Sequence, residues 1–237
     1  ATEGASWTRD MFMKGQKLVA EYGADQVFDF SIGNPVFEPP REFLQAMREV
    51  VGTTGAGMHR YMPSNGIEST REFIAETLRK RHKHPFLASD ITLSVGAGGG
   101  LNVVLKALCE PGDEVVVFSP FFFEYKHYAD NHQAKLVIVP TTNEFRLDME
   151  ALTKALSPRT RVVIINSPNN PTGVVYSREE LKSLGDILRK ASSVRRDPIV
   201  LLSDEPYARL TFDGIEVPSI FDCYEHGILV TSFSKDL

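Results

Sequence analysis

The sequence predicts an α/β protein: a mixed, mostly parallel sheet with helices on both faces, preceded by the N-terminal part of a smaller domain. Three observations carry this reading. Short runs rich in Val and Ile recur at 91–95, 114–118, 135–139, 161–166, 199–203 and 228–232, each bounded by Pro, Gly, Asn or Asp. Longer amphipathic segments fill the intervals between them, as crossover connections in a parallel sheet require. The runs are also apolar almost throughout rather than alternating, which suits strands covered on both faces.

The elements follow in order. Residues 7–22 and 67–81 carry helical apolar spacing. Between them lie segments rich in breakers: Asn34-Pro35, Pro39-Pro40, Gly55-Ala56-Gly57 and Pro63-Ser64-Asn65-Gly66. Residues 1–89 are therefore expected to form an arm and part of the small domain, and residues 90–237 a large ligand-binding domain. Within the latter, helices are predicted at 99–108, 124–131, 149–155 and 178–191. In the last, Leu181, Leu184, Ile187 and Leu188 fall on one helical face.

Composition removes several function classes. The 237 residues include 26 basic and 31 acidic side chains, a formal charge of −5, which offers no general basic field for nucleic acid. The longest near-apolar stretch, 115–123, is interrupted by Ser119 and Pro120 and is too short to span a membrane. Two cysteines, Cys109 and Cys223, cannot staple a chain of this length, and no signal peptide is visible. A cytoplasmic location is the expectation. The sequence around His82-Lys83-His84 reads as a solvated helix end rather than a metal pair.

Ligands of parallel α/β sheets bind beyond the carboxyl ends of strands, so the residues just past each run deserve inspection. After 91–95 comes Gly96-Ala97-Gly98-Gly99-Gly100, a turn whose N–H groups could approach a phosphate or simply pack closely. Leu101 breaks the dinucleotide pattern, and no Gly-Lys-Ser/Thr follows, so the nicotinamide and nucleotide-loop readings both weaken. After 114–118 comes Ser119-Pro120-Phe121-Phe122-Phe123; these aromatics suit a core, though one could stack on a planar ligand. Past the next three runs stand Asn169-Asn170, Asp204-Glu205-Pro206-Tyr207 and Ser232-Phe233-Ser234-Lys235. Asn170, Asp204 and Lys235 are spaced by about 30 residues, the length of one strand–helix–strand unit. An amine, an acid, a phenol and an amide at successive strand ends, with an aromatic and a glycine turn, are the parts a pyridoxal phosphate site needs.

Ser167-Pro168-Asn169-Asn170-Pro171-Thr172-Gly173, Ser203-Asp204-Glu205-Pro206-Tyr207 and Ser232-Phe233-Ser234-Lys235 strongly resemble the class I/II aminotransferases of pyridoxal phosphate fold type I. Gly33-Asn34-Pro35, Arg60-Tyr61, Gly66, Gly96-Ala97 and 111–115 match the same family in the same order. The resemblance implies that Lys235 is the Schiff-base lysine, that Asp204 partners the pyridine nitrogen, and that Tyr207 and Asn170 hold the ring hydroxyl oxygen. It further implies Phe122 as the stacking aromatic, with Phe121 as its alternative. Gly96, Ala97 and Gly98 with Ser232 and Ser234 would form the phosphate cup. Tyr61 would reach the neighbouring subunit's cofactor in a homodimer, and Gly33 and Asn34 would lie against the substrate. A cis peptide at Ser119–Pro120 or Asn170–Pro171 is also implied.

Two departures stand out. Residue 98 is glycine where the family often carries a side-chain donor, and the two family arginines beyond the lysine are not in this sequence. The chain thus reads as the N-terminal portion of an aminotransferase acting on amino acids and 2-keto acids, inactive by itself. A Cα–H lyase and a non-enzymatic ligand-sensing domain are the alternatives on the same residues.

Overall fold

The computed structural model describes residues 6–28, 30 and 38–235. By internal packing the chain forms two units, residues 1–53 and 54–236. The first contains helices α1 (Ser6–Tyr22) and α2 (Arg41–Gly52). Helix α2 lies in a stretch read from the sequence as irregular. Its N-cap is Pro40, and Phe43, Leu44, Met47, Val50 and Val51 give it a helical apolar stripe that the preceding prolines obscured.

The second unit opens with α3 (Glu68–His82) and is built on five strands: β1 (Glu114–Ser119), β2 (Lys135–Pro140), β3 (Thr160–Asn166), β4 (Val200–Asp204) and β5 (Gly227–Val230). Their order is β2-β1-β3-β4-β5, and every pairing is parallel. Helix α4 (Gly96–Leu108) precedes β1, and helices α5 (Glu124–Asn131), α6 (Met149–Ala155) and α7 (Arg178–Ser192) make the crossovers from β1 to β4.

Alternation along the strands divides the core. Val116, Phe118, Val163, Ile165 and Leu201 pack with Leu152 of α6 and Leu181, Leu184 and Leu188 of α7. Val115, Val117, Val162, Ile164 and Leu202 pack with Leu101 and Leu105 of α4 and with Tyr125 and Ala129 of α5. The sheet is thus buried on both faces, which explains its uninterrupted apolar runs. Ser177 caps α7 reciprocally with Glu180, and Asp148 caps α6.

Three local expectations meet a different structure. Residues 91–95 form no strand: β5 is the edge of the sheet on that side, and the segment has no ladder partner among the described residues. Helix α4 begins at Gly96 rather than residue 99, so the glycine turn is itself the first helical turn. His82 is not a solvated helix end. It is buried, with Nδ1 3.1 Å from Ser219 Oγ and its ring edge-on to Phe86 and Phe221. That aromatic cluster joins α3 to the segment before β5, so residues 68–91 belong to the same packed unit as the sheet. The Ser119–Pro120, Ser167–Pro168 and Asn170–Pro171 peptides are cis.

Candidate active site

Because all five strands are parallel, their carboxyl ends share one edge, and the order reverses around β1, where ligands of such sheets bind. At that edge Asn166 of β3 stands in register with Asp204 of β4, and Asp204 with Val230 of β5. Asn166 Nδ2 donates to the Asp204 carbonyl at 2.8 Å, while its Oδ1 accepts the Asn170 N–H at 2.6 Å. The turn carrying Asn170 is thereby tied to the strand end carrying Asp204. Asn170 Nδ2 in turn donates to Tyr207 Oη at 3.5 Å.

Asp204 is 4% exposed. Tyr125 Oη, from the first turn of α5, donates to its Oδ2 at 2.6 Å. Its Oδ1 is buried without a partner. Burial pushes the carboxyl up to about 6, and the Tyr125 hydrogen bond offsets part of that rise. Burial raises the Tyr207 phenol as well; the bond from Asn170 works against it, and the Asp204 charge adds to it. A buried carboxylate with one open oxygen is costly unless a donor, best a cationic one, meets it.

Gly96 has φ +65°, a conformation glycine adopts without strain, and it starts α4, its own N–H donating to the Ser94 carbonyl at 3.1 Å. At Gly98 a Cβ would stand 2.8 Å from Tyr128 Oη, so glycine here admits a phenol from α5. Ser232 Oγ and Ser234 Oγ lie 2.9 Å apart, and the Ser234 N–H donates to Ser232 Oγ at 3.1 Å. Gly96, Ser232 and Ser234 line one cavity of about 720 Å³ between α4 and the end of β5. Asp204, Asn170 and Tyr207 are not among its lining residues.

Lys235 is half-buried in a short 3-10 turn, Phe233–Lys235, that follows β5. Phe122 is half-buried, 5.7 Å from the Tyr125 ring and edge-on to it, whereas Phe121 lies nearly parallel to that ring at 6.5 Å. Tyr61 is fully exposed. Gly33 and Asn34 lie outside the described residues. The sequence reading missed Tyr125 and Asn166 as site residues. Both left a trace: a tyrosine opening a helix next to a strand end, and an amide closing an otherwise apolar strand.

Residues 25–237 match the family model described as aminotransferase class I and II. An aspartate aminotransferase of Pyrococcus horikoshii is 31% identical over 230 residues, covering 96% of this chain and 55% of that protein. An aromatic-amino-acid aminotransferase of Thermococcus litoralis is 32% identical, covering 90% of this chain and 54% of that protein. Among solved structures, an aminotransferase from Eubacterium rectale superposes with a TM-score of 0.92 at 38% identity, over 96% of this chain and 58% of that one. Aspartate aminotransferase from Thermus thermophilus with maleate superposes with a TM-score of 0.83 at 31% identity, over 94% and 56%. The chain spans about half the length of the curated relatives it matches. On the extent of these matches, the chain belongs to the class I and II aminotransferase family.

Proposed function

We propose that the complete protein is a pyridoxal 5′-phosphate-dependent aminotransferase that moves an amino group between an amino acid and a 2-keto acid. The observation that carries this reading is Asp204: buried, anchored on one oxygen by Tyr125, and open on the other. A protonated pyridine nitrogen is a cationic donor of the kind Oδ1 lacks. The other parts are consistent with the same ligand. Asn170 and Tyr207 would bind the ring hydroxyl oxygen, Phe122 would cover a ring face, and Lys235 would hold the aldehyde carbon covalently. The first turn of α4 at Gly96, Ala97 and Gly98, with Ser232 and Ser234, would hold the phosphate.

When bound, the pyridoxal group supplies an electron-accepting ring that stabilises negative charge at the substrate's Cα. Asp204, as carboxylate, keeps a positive charge on the ring nitrogen favourable. Lys235, once its amine is free, would take the proton from Cα and deliver it to the cofactor's aldehyde carbon across the intervening nitrogen. Burial of Asp204 keeps water from competing for its contacts. Gly33 and Asn34 would lie against the substrate. Tyr61, exposed on this chain, would reach the cofactor phosphate of a second subunit, which makes the protein a homodimer. Two free, buried cysteines suit a reducing compartment, and we place the protein in the cytoplasm. Among the described residues no helix is long and apolar enough to cross a membrane.

The relatives' names cover both aspartate and aromatic amino acids. The test is therefore a panel assay of the complete protein with acidic and aromatic donors and a common keto-acid acceptor. Keto-acid formation that disappears in Lys235→Ala supports the reading. Release of ammonia without amino transfer to the acceptor would replace it with lyase chemistry.

A further inference from the structure

Asn166 closes β3 with an amide after the apolar run Val162 to Ile165, and the reading above gives it no part. It is 3% exposed, and both ends of its side chain are engaged. Burying an amide is costly unless donor and acceptor both find partners. Here Nδ2 donates across the ladder to the Asp204 carbonyl at 2.8 Å, and Oδ1 accepts the Asn170 N–H at 2.6 Å. Both partners are backbone groups of fixed polarity, so they dictate which way the amide faces.

The turn beyond β3 has its own internal bonds. The Asn169 N–H donates to the Val174 carbonyl at 2.9 Å, and the Asn169 carbonyl accepts the Gly173 N–H at 2.7 Å. Asn169 Oδ1 accepts the Thr172 hydroxyl at 2.9 Å and the Thr172 N–H at 3.3 Å. These bonds give the turn its shape but not its place on the sheet. Asn166 bonds both the turn and the end of β4, and Asn170 Nδ2 then reaches Tyr207 Oη at 3.5 Å, three residues beyond Asp204. The contacts close a circuit from Asp204 through Asn166, Asn170 and Tyr207 back along the chain.

We propose that Asn166 is a positioning residue: it holds the turn of Asn170 against the end of β4 and so fixes where the Asn170 amide stands relative to Tyr207 and Asp204. The inference rests on the pyridoxal reading for the ligand that these groups receive, the ring hydroxyl oxygen at Asn170 and Tyr207. Asn166 itself touches no part of that ligand and acts through Asn170. The place calls for one planar group that donates at one end and accepts at the other, which a neutral amide does and an ionised carboxylate of the same shape does not.

The experiment is a double-mutant cycle on the complete protein. Asn166→Leu keeps the shape of the side chain and removes both bonds; Asn166→Ala removes the bulk as well. Each is made alone and combined with Asn170→Ala, and pyridoxal phosphate affinity is read at fixed pH from the absorbance of the bound cofactor. Each single substitution should weaken binding by ~5- to 10-fold. The combined proteins should be no more than about 2-fold weaker than Asn170→Ala alone, because no amide is left to position. Losses that multiply, or unchanged affinity in the Asn166 variants, would overturn the proposal. Either Asn166 variant decides the cycle, so one that fails to fold leaves the other to refute the claim.

Amide hydrogen exchange on the cofactor-free protein separates the positioning role from the reading it rests on. In both Asn166 variants the Asn170 N–H loses its acceptor and should exchange about 10-fold faster or more, while Val163 and Leu201 at the strand centres keep their wild-type rates. If borohydride leaves no adduct on Lys235, the pyridoxal reading fails, and exchange alone decides whether Asn166 holds the turn. An unchanged Asn170 rate, or an increase shared equally by the strand centres, would refute it.

Discussion

At the scale of residues, the site turns on how a buried acid is kept charged. Asp204 sits at a strand end with Tyr125 on one oxygen and no partner among the described residues on the other, and burial raises its pKa to about 6 against the Tyr125 hydrogen bond. Tyr125→Phe removes the one hydrogen bond that opposes the rise. It should move the pH midpoint of cofactor binding upward by up to about one unit and weaken binding several-fold, read by titration of the cofactor's absorbance. An unmoved midpoint would remove Tyr125 from the site. Asp204→Ala should retain part of the cofactor while lowering turnover by ~100-fold or more, since it removes electrostatic stabilisation rather than the covalent anchor. Retention of full turnover would show that the acid has no such role. Asp204, Asn170 and Tyr207 were legible because strand ends could be located from apolar runs and turn formers. Tyr125 and Asn166 were not, because their contacts depend on the rotation of α5 against the sheet and on strand register, and neither is written in local spacing.

Whole elements were legible where one physical signal dominated. Helices α5 and α6 have the bounds predicted for them as amphipathic segments. Helix α2 was hidden by the prolines before it, although Pro40 in fact marks its start. Residues 91–95 have the composition of a strand but no ladder partner among the described residues, and pairing is a tertiary property that composition does not report. Packing divides the chain at residues 53 and 54. Helix α7 offers two stability tests. A Cβ at Gly185 would lie 2.2 Å from the Cys223 carbonyl oxygen, so Gly185→Ala must push apart the helix and the segment before β5. A loss on the order of 1–3 kcal/mol is expected from urea unfolding. Ser177→Ala breaks the reciprocal cap with Glu180 and should cost about 1 kcal/mol. Equal stability of the Gly185 variant and wild type would mean that the close approach is not real.

At the scale of the molecule, a parallel sheet with helices on both faces collects one functional side chain per strand end at a single edge, which is why motifs far apart in sequence belong together. The same compactness gives a pH signature. His82 is held neutral in an apolar cage, its pKa lowered to about 4 by burial first and then by the Arg81 charge, with Asp222 opposing and His84 adding a little. A base whose folded pKa is depressed stabilises the fold above its unfolded pKa of about 6.5. That contribution is lost as pH falls through about 4, so His82→Gln should flatten the acid limb of the unfolding profile. The central claim is that Lys235 holds pyridoxal phosphate, and one measurement meets it directly. The complete protein is loaded with the cofactor, reduced with borohydride, digested and mapped by mass spectrometry. The account predicts a phosphopyridoxyl mass on the peptide containing Lys235, absent in Lys235→Ala. A modified peptide elsewhere in the chain, or a protein that transfers amino groups with no adduct at Lys235, would contradict it.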